Sequence, residues 1–404
     1  MENRATHILV ECPELIVSAK LGVIDTLQEL VRKGICDMQF VRTPEIRREH
    51  IIWADIVITV RGWERRTLDI LRQAKKAGRF IIYYLDDDLL HVPKDALAWE
   101  YFSSSRLQEG LKEMIGLSDV LWGVNRNIKD KYLCFGNGRW MENKLPIRMS
   151  QRINGSKKKT DGVTKILYAG SIDHSILIRE TLARPIRQIC REFGSSVEVT
   201  FIGANPEIHD CKQVRYIPFI KPYDDYREYV ESEGFQIGLA PVRIDPFYAC
   251  KYYNKYLEYA SIGAVGIFTR TDPYLQIVED RINGILCDNT EQAWYEAIKE
   301  LIENKELREK CKRYSIAQIK SDFDAEQVAD SLLIQCEELK TYRAKEVSEQ
   351  EIKLKGWISL YIGRAQIFWE SRGIASIPLI VGKAIKVCIK KVAKKVQNFV
   401  QRIF

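Results

Sequence analysis

Short apolar runs punctuate the chain, separated by longer amphipathic stretches. In its first third, residues 7–10, 38–41, 55–60, 80–85 and 120–124 are apolar without strict alternation, the pattern of strands covered on both faces. Between them, 22–32, 64–77 and 96–116 place apolar residues at three- and four-residue steps, which predicts helices with one buried face. This alternation predicts a doubly wound α/β domain over 1–147, with every strand-to-helix turn on one sheet edge. After the polar stretch RMSQRINGSKKKTDG, read as a linker over 148–162, the alternation resumes in a second α/β domain over 163–343. Its predicted strands are 165–169, 197–202, 214–217, 235–240, 264–268 and 283–286. Its predicted helices cover 176–193, 224–233, a stretch beginning at Lys251 and stopped by Gly263, a start at 274–278, 294–301, and 307 onward.

The pattern changes in the tail, 344–404. Val381, Ile385, Cys388, Ile389, Val392, Val396, Phe399, Val400 and Ile403 fall on one helical stripe, with Lys383, Lys386, Lys390, Lys394 and Gln397 opposite. Charge sharpens this picture. Of a net +7 over 404 residues, 351–404 contribute +9, from eleven basic side chains against Glu351 and Glu370, so the remainder sums to −2. A basic amphipathic helix preceded by Trp357, Tyr361, Phe368 and Trp369 predicts a segment lying on an anionic membrane surface. The competing reading is a helix packed on the protein's own first domain or on a partner helix.

Composition excludes several classes. The ten cysteines include no C-x-x-C pair and no framework spacing, which argues against a zinc ribbon or a disulfide scaffold and for a reducing cytoplasm. No run is long and apolar enough to span a bilayer, and the N-terminus shows no signal-peptide pattern. G-x-G-x-x-G and the P-loop pattern are both missing, and basic residues interleaved with aromatics are confined to the tail, so nucleic acid is not an expected partner.

Candidate chemistry gathers where strands end. In the first domain Arg61, Gly62, Asp86, Asp87, Asp88 and Asn125 should share one rim. An acidic triplet after a strand can chelate a divalent ion, line a cleft or simply form a turn. In the second domain, a strand ending at Ala240 and Pro241 feeds a helix carrying Lys251, Lys255 and Glu258, whose spacing puts them on one face. Such a helix start suits an anion such as a diphosphate, and a carboxylate deeper along the face suits vicinal hydroxyls. The same spacing also describes a solvated, salt-bridged surface.

The residues of 235–274 resemble the donor-binding segment of GT-B glycosyltransferases, particularly the retaining enzymes of family four. The resemblance rests on Gly238, Leu239, Ala240, Pro241, Phe247, Lys251, Lys255, Tyr256, Leu257, Glu258, Tyr259, Ala260, Gly263 and Tyr274. The YAGS at 168–171 resembles the first strand and turn of that family's second domain, and the DDDL at 86–89 a run in related first domains. Where the commonest pattern has a further glutamate, this chain has Cys250, and Asp173 and His174 stand where basic residues are frequent.

The resemblance implies two Rossmann-like domains facing across a cleft, with Glu258 on the nucleotide ribose and Lys251, Tyr252 and Tyr253 at the diphosphate. It also implies a retaining sugar transfer from a nucleotide sugar to a hydroxyl acceptor, a glycan or a lipid-linked one. Gly170, Ser171, His174 and Pro241 complete the expected donor site. Arg61, Asp86, Asp88 and His91 form the expected acceptor cleft. Lys251, Lys255 and Asp87 are the catalytic candidates, with no metal and no cofactor beyond the donor. The expected setting is cell-envelope glycan synthesis at the inner membrane face. The alternatives are a non-catalytic scaffold of the same fold and a sugar epimerase or phosphorylase.

Overall fold

The computed structural model describes residues 4–96, 98–151, 162–355, 358–378 and 381–382. The described residues within Met1–Asn143 and Leu332–Phe404 form one compact unit, and those within Lys144–Ser331 a second. Most of the predicted linker and, beyond Gly382, the predicted tail helix lie outside the described residues, as does Trp357.

The first unit holds six strands: β1 (Thr6–Cys12), β2 (Cys36–Arg42), β3 (Ile56–Val60), β4 (Phe80–Leu85), β5 (Val120–Gly123) and β6 (Arg139–Glu142). They pair in parallel in the order β2-β1-β3-β4-β5-β6. Every residue of β3, β4 and β5 is buried, which is why they read as unbroken apolar runs. Strand β6, sequence RWME with only Met141 buried, lies at the sheet edge and has no such signature. The helix expected over 96–116 is two helices, Trp99–Phe102 and Ser105–Leu117. Between them Ser104 leaves helical geometry and donates its hydroxyl to Glu370 at 2.6 Å, a tertiary contact invisible in the local pattern.

The second unit holds β7 (Thr164–Gly170), β8 (Val197–Gly203), β9 (Val214–Ile217), β10 (Ile237–Ala240), β11 (Val265–Thr269) and β12 (Ile285–Cys287). All pairs are parallel, in the order β12-β11-β10-β7-β8-β9. Ile166, Phe201, Ile237, Leu239, Ile267, Trp294 and Leu301 pack its core. The helix expected over 176–193 is interrupted at Leu182, giving Ser175–Thr181 and Ala183–Phe193. Pro185 explains the break, because it lacks the amide that a continuous helix would bond to Thr181. The helix expected to begin at Tyr274 is a single 3-10 turn, Tyr274–Gln276.

Candidate active site at the carboxyl sheet edges

In the second unit the strand order reverses between β7, which leads outward to β8 and β9, and β10, which leads outward to β11 and β12. In open parallel sheets the crevice outside the carboxyl ends at such a reversal is the favoured ligand position. Gly170 ends β7 there and Ser171 follows it, and buried Pro241 follows β10. Gly203, ending β8 with φ +83°, approaches so closely that a Cβ would overlap the Gly170 carbonyl oxygen. Only glycine fits both that backbone and that gap.

From Pro241 the chain does not enter a helix at Lys251, contrary to the spacing argument. Asp245 instead accepts hydrogen bonds from the amides of Phe247 and Tyr248, both at 2.9 Å, and nucleates a 3-10 turn at Tyr248–Cys250. Lys251 then adopts an extended conformation, and the α-helix is Asn254–Ser261, closed by Gly263 at φ +77°. Lys251 therefore belongs to the preceding turn, with its Nζ 4.4 Å from the centroid of the Phe247 ring. Cys250 is fully buried, its thiol donating to the Pro246 carbonyl at 3.4 Å.

Lys255 and Glu258 lie on the helix and pair at 2.9 Å. The second Glu258 oxygen accepts from the buried Tyr226 hydroxyl, delivered by the helix Tyr223–Glu233. Burial and then the Glu258 charge push the Tyr226 phenol well up, so it remains a donor at neutral pH. The Tyr226 ring also lies 5.7 Å from Lys255 Nζ. The rings of Tyr252 and Tyr253 are buried and packed together at 4.1 Å between centroids.

His174 sits in the 3-10 turn Ile172–His174 after β7, its ring edge-on to Tyr248 at 6.4 Å. Burial, then the charges of Lys251 and Lys255, draw its pKa below the ordinary 6.5. The imidazole is thus neutral near pH 7. Lys251 Nζ lies 6.0 Å from the centroid of the same Tyr248 ring, so both side chains stand beside that ring, and a lysine there suits phosphate oxygens.

At the carboxyl edge of the first unit, Arg61 follows β3 with φ +47°, uncommon for a residue with a side chain. Its guanidinium bonds Asp86 and lies 3.6 Å from Asp87; those charges outweigh burial and keep it protonated. Asp88 turns elsewhere. It is fully buried, accepting from Lys131 at 2.5 Å, Tyr132 at 2.5 Å and His91 at 2.8 Å. Burial would raise its pKa, yet these bonds hold it below the usual carboxylate range. The triplet therefore divides: Asp86 and Asp87 face Arg61, while Asp88, expected in the acceptor cleft, anchors the turn to the helix Arg126–Tyr132 and to His91. Among the described residues, no three His, Cys, Asp or Glu side chains converge as a metal-ligand set.

No family model matches the chain, and no curated protein does. Solved structures do match. A sucrose-phosphate synthase from Thermosynechococcus elongatus superposes with a TM-score of 0.58 at 13% identity, over 83% of this chain and 99% of that one. A Rickettsia africae glycosyltransferase gives 0.57 at 11%, over 84% and 99%. Anabaena HepE, in complex with UDP and glucose, gives 0.53 at 11%, over 81% and 98%. The fold is GT-B.

Within this GT-B chain, the sequence reading missed Tyr226 and Glu11. Glu11, near the end of β1, is fully buried and accepts from Thr43, from Thr59 at 2.6 Å and from Thr67 at 3.1 Å. Neither stands in a motif, so only the partners brought by folding mark them. A cavity of about 270 Å³ lies on the flank of the first unit, lined by Trp63, Leu68, Leu107 and Ile367 among others. It belongs to the helices around it and not to either sheet edge described above.

Proposed function

We propose that the chain is a glycosyltransferase that moves a sugar from a nucleotide-sugar donor to a hydroxyl acceptor. One observation supports the reading: in a GT-B second unit whose strand order reverses at β7 and β10, His174 and Lys251 both lie beside the Tyr248 ring and Lys255 pairs with Glu258 at 2.9 Å. The complex of Anabaena HepE with UDP and glucose supports the donor class. In this reading Lys251 and Lys255 stabilise charge developing on the departing diphosphate, a contribution that grows as the glycosidic bond breaks. Glu258 accepts from the ribose hydroxyls. Arg61, Asp86 and Asp87 meet the acceptor, with Asp87 the candidate to receive its proton. Retention of configuration is what the resemblance to the family-four enzymes implies; transfer is metal-independent, because the lysines supply the cationic charge, and activity is expected to survive chelation by EDTA. Loss on chelation with rescue by manganese or magnesium would overturn that part.

The acceptor is a glycan or lipid-linked hydroxyl in cell-envelope synthesis, reached from the inner membrane face, where the basic tail attracts anionic lipid. The test is nucleotide release by the full chain across a panel of nucleotide sugars. Release with one donor class, lost on Lys255→Ala, is expected. Donor binding without release under any acceptor condition would favour the scaffold reading, and no binding at all would remove the site.

A further inference from the structure

The chain before the basic tail is not a free tether. The helix Ile358–Arg372 lies on the first unit, where Arg364 Nε meets Glu64 Oε1 at 2.5 Å and Gln366 accepts from Arg65 at 3.2 Å. Glu370 accepts from Ser104 Oγ at 2.6 Å and from Arg106 Nε at 2.7 Å. Ile367 is buried, and Gly363 lets the helix approach so closely that a Cβ there would stand 3.1 Å from Arg65 Cβ. Glu64 is itself buried, and its Oε2 finds no partner among the described residues, so Arg364 is the cation compensating a desolvated carboxylate.

Among the described side chains, several large apolar ones of this segment are exposed to solvent. Ile362 is 49% exposed, Trp369 50% and Ile374 78%, with Ile377 and Val381 close behind. Ile362 and Trp369, seven residues apart, lie on one helical face. From Ser371 to the C-terminus the sequence has eight basic residues and no acidic one.

We propose that this face is a bilayer-docking surface, its occupant the boundary between headgroups and acyl chains of an anionic leaflet. The inference rests on the membrane reading above and adds the surface and its rigid attachment. Charge complementarity selects the occupant: isoleucines and a tryptophan, the residue favoured at headgroup depth, run into a stretch whose every charge is positive. Apolar insertion and basic attraction are the two contributions that together give stable interfacial binding. Because Arg364 and Glu370 fasten the helix to the first unit, docking fixes that unit's sheet relative to the leaflet.

The experiment uses the full chain and its triple variant Ile362→Ser, Trp369→Ser, Ile374→Ser, which changes exposed side chains only. Both are sedimented with vesicles of phosphatidylcholine containing about a third phosphatidylglycerol, at low salt and at about 0.5 M salt, where basic attraction is screened and insertion is not. The triple variant should partition about tenfold more weakly at low salt and lose the salt-resistant fraction. Lipids brominated on the acyl chain should quench the full chain's tryptophan fluorescence, and less so in Trp369→Phe. Parental binding and quenching by the variants would overturn the inference while leaving membrane binding to the tail alone. No vesicle binding by the full chain at low salt would remove the membrane reading itself. A full-chain dimer that the triple variant dissociates would assign the face to a second copy and likewise overturn it.

Discussion

Both carboxylate oxygens of Glu258 are engaged within the second unit, one by Tyr226 and the other by Lys255. A carboxylate held this way is oriented before a diol reaches it, so Glu258→Gln should weaken donor binding by about 1.5–3 kcal/mol, the range for a hydrogen bond to a charged group. Calorimetric titration with the donor, alongside an unchanged melting temperature, checks this; unaltered affinity would remove the role. Glu11 carries a different prediction. Burial raises its pKa above the ordinary 4.5, against the opposing hydroxyls of Thr43, Thr59 and Thr67. A raised folded pKa means the folded chain holds the proton longer, so this group's stabilisation is complete below about pH 4.5 and is lost as pH rises through the folded value. The melting temperature of the parent minus that of Glu11→Gln should therefore fall as pH rises above about 4.5. A flat difference would show that Glu11 does not titrate in that window. KYLEYA singles out Glu258 as a candidate in the chain, whereas its partner Tyr226 sits on another helix with no local mark.

At the scale of elements, most strands could be read because parallel strands buried on both faces must be apolar throughout. Helix boundaries were less legible. Spacing puts Lys251 on one helix with Lys255 and Glu258, yet the turn that Asp245 nucleates intervenes and the helix begins at Asn254. The turn, not the helix, sets Lys251 beside the Tyr248 ring that His174 also meets. The approach of β7 and β8 depends on Gly203. Gly203→Ala is expected to cost about 2 kcal/mol or more, combining a left-handed backbone with an overlap at the Gly170 carbonyl. Denaturant unfolding would measure it, and a loss under about 0.5 kcal/mol would mean that the two strand ends separate easily.

For the whole molecule, the C-terminal segment is part of the first unit. Arg79 donates to the Lys345 carbonyl at 2.8 Å, Asp55 accepts from the Ala344 amide at 2.9 Å, and Asp69 from the Lys355 amide at 2.8 Å. Two truncations should therefore behave differently. Ending the chain at Ala375 keeps Arg364 on Glu64 and the face with Ile362 and Trp369, so the melting temperature should hold while binding to anionic vesicles at low salt falls with the loss of the basic residues beyond it. Ending it at Lys355 removes that partner and should cost about 1–3 kcal/mol, below the loss for a fully buried pair because Arg364 is about a third exposed. Equal stability of the two shortened chains would show that the Ile358–Arg372 helix contributes nothing to the fold. The sequence by itself determined the α/β class, the repeated alternation, the basic tail and the Lys255–Glu258 pair, because apolar periodicity and short-range spacing are local properties. Strand order, the division of Asp86, Asp87 and Asp88 between two sets of partners, the Tyr226 bond to Glu258 and the fastening of Ile358–Arg372 were decided only by tertiary structure. Each depends on which distant residues a buried charge or hydroxyl meets, and desolvation makes that partner obligatory without marking it in the chain.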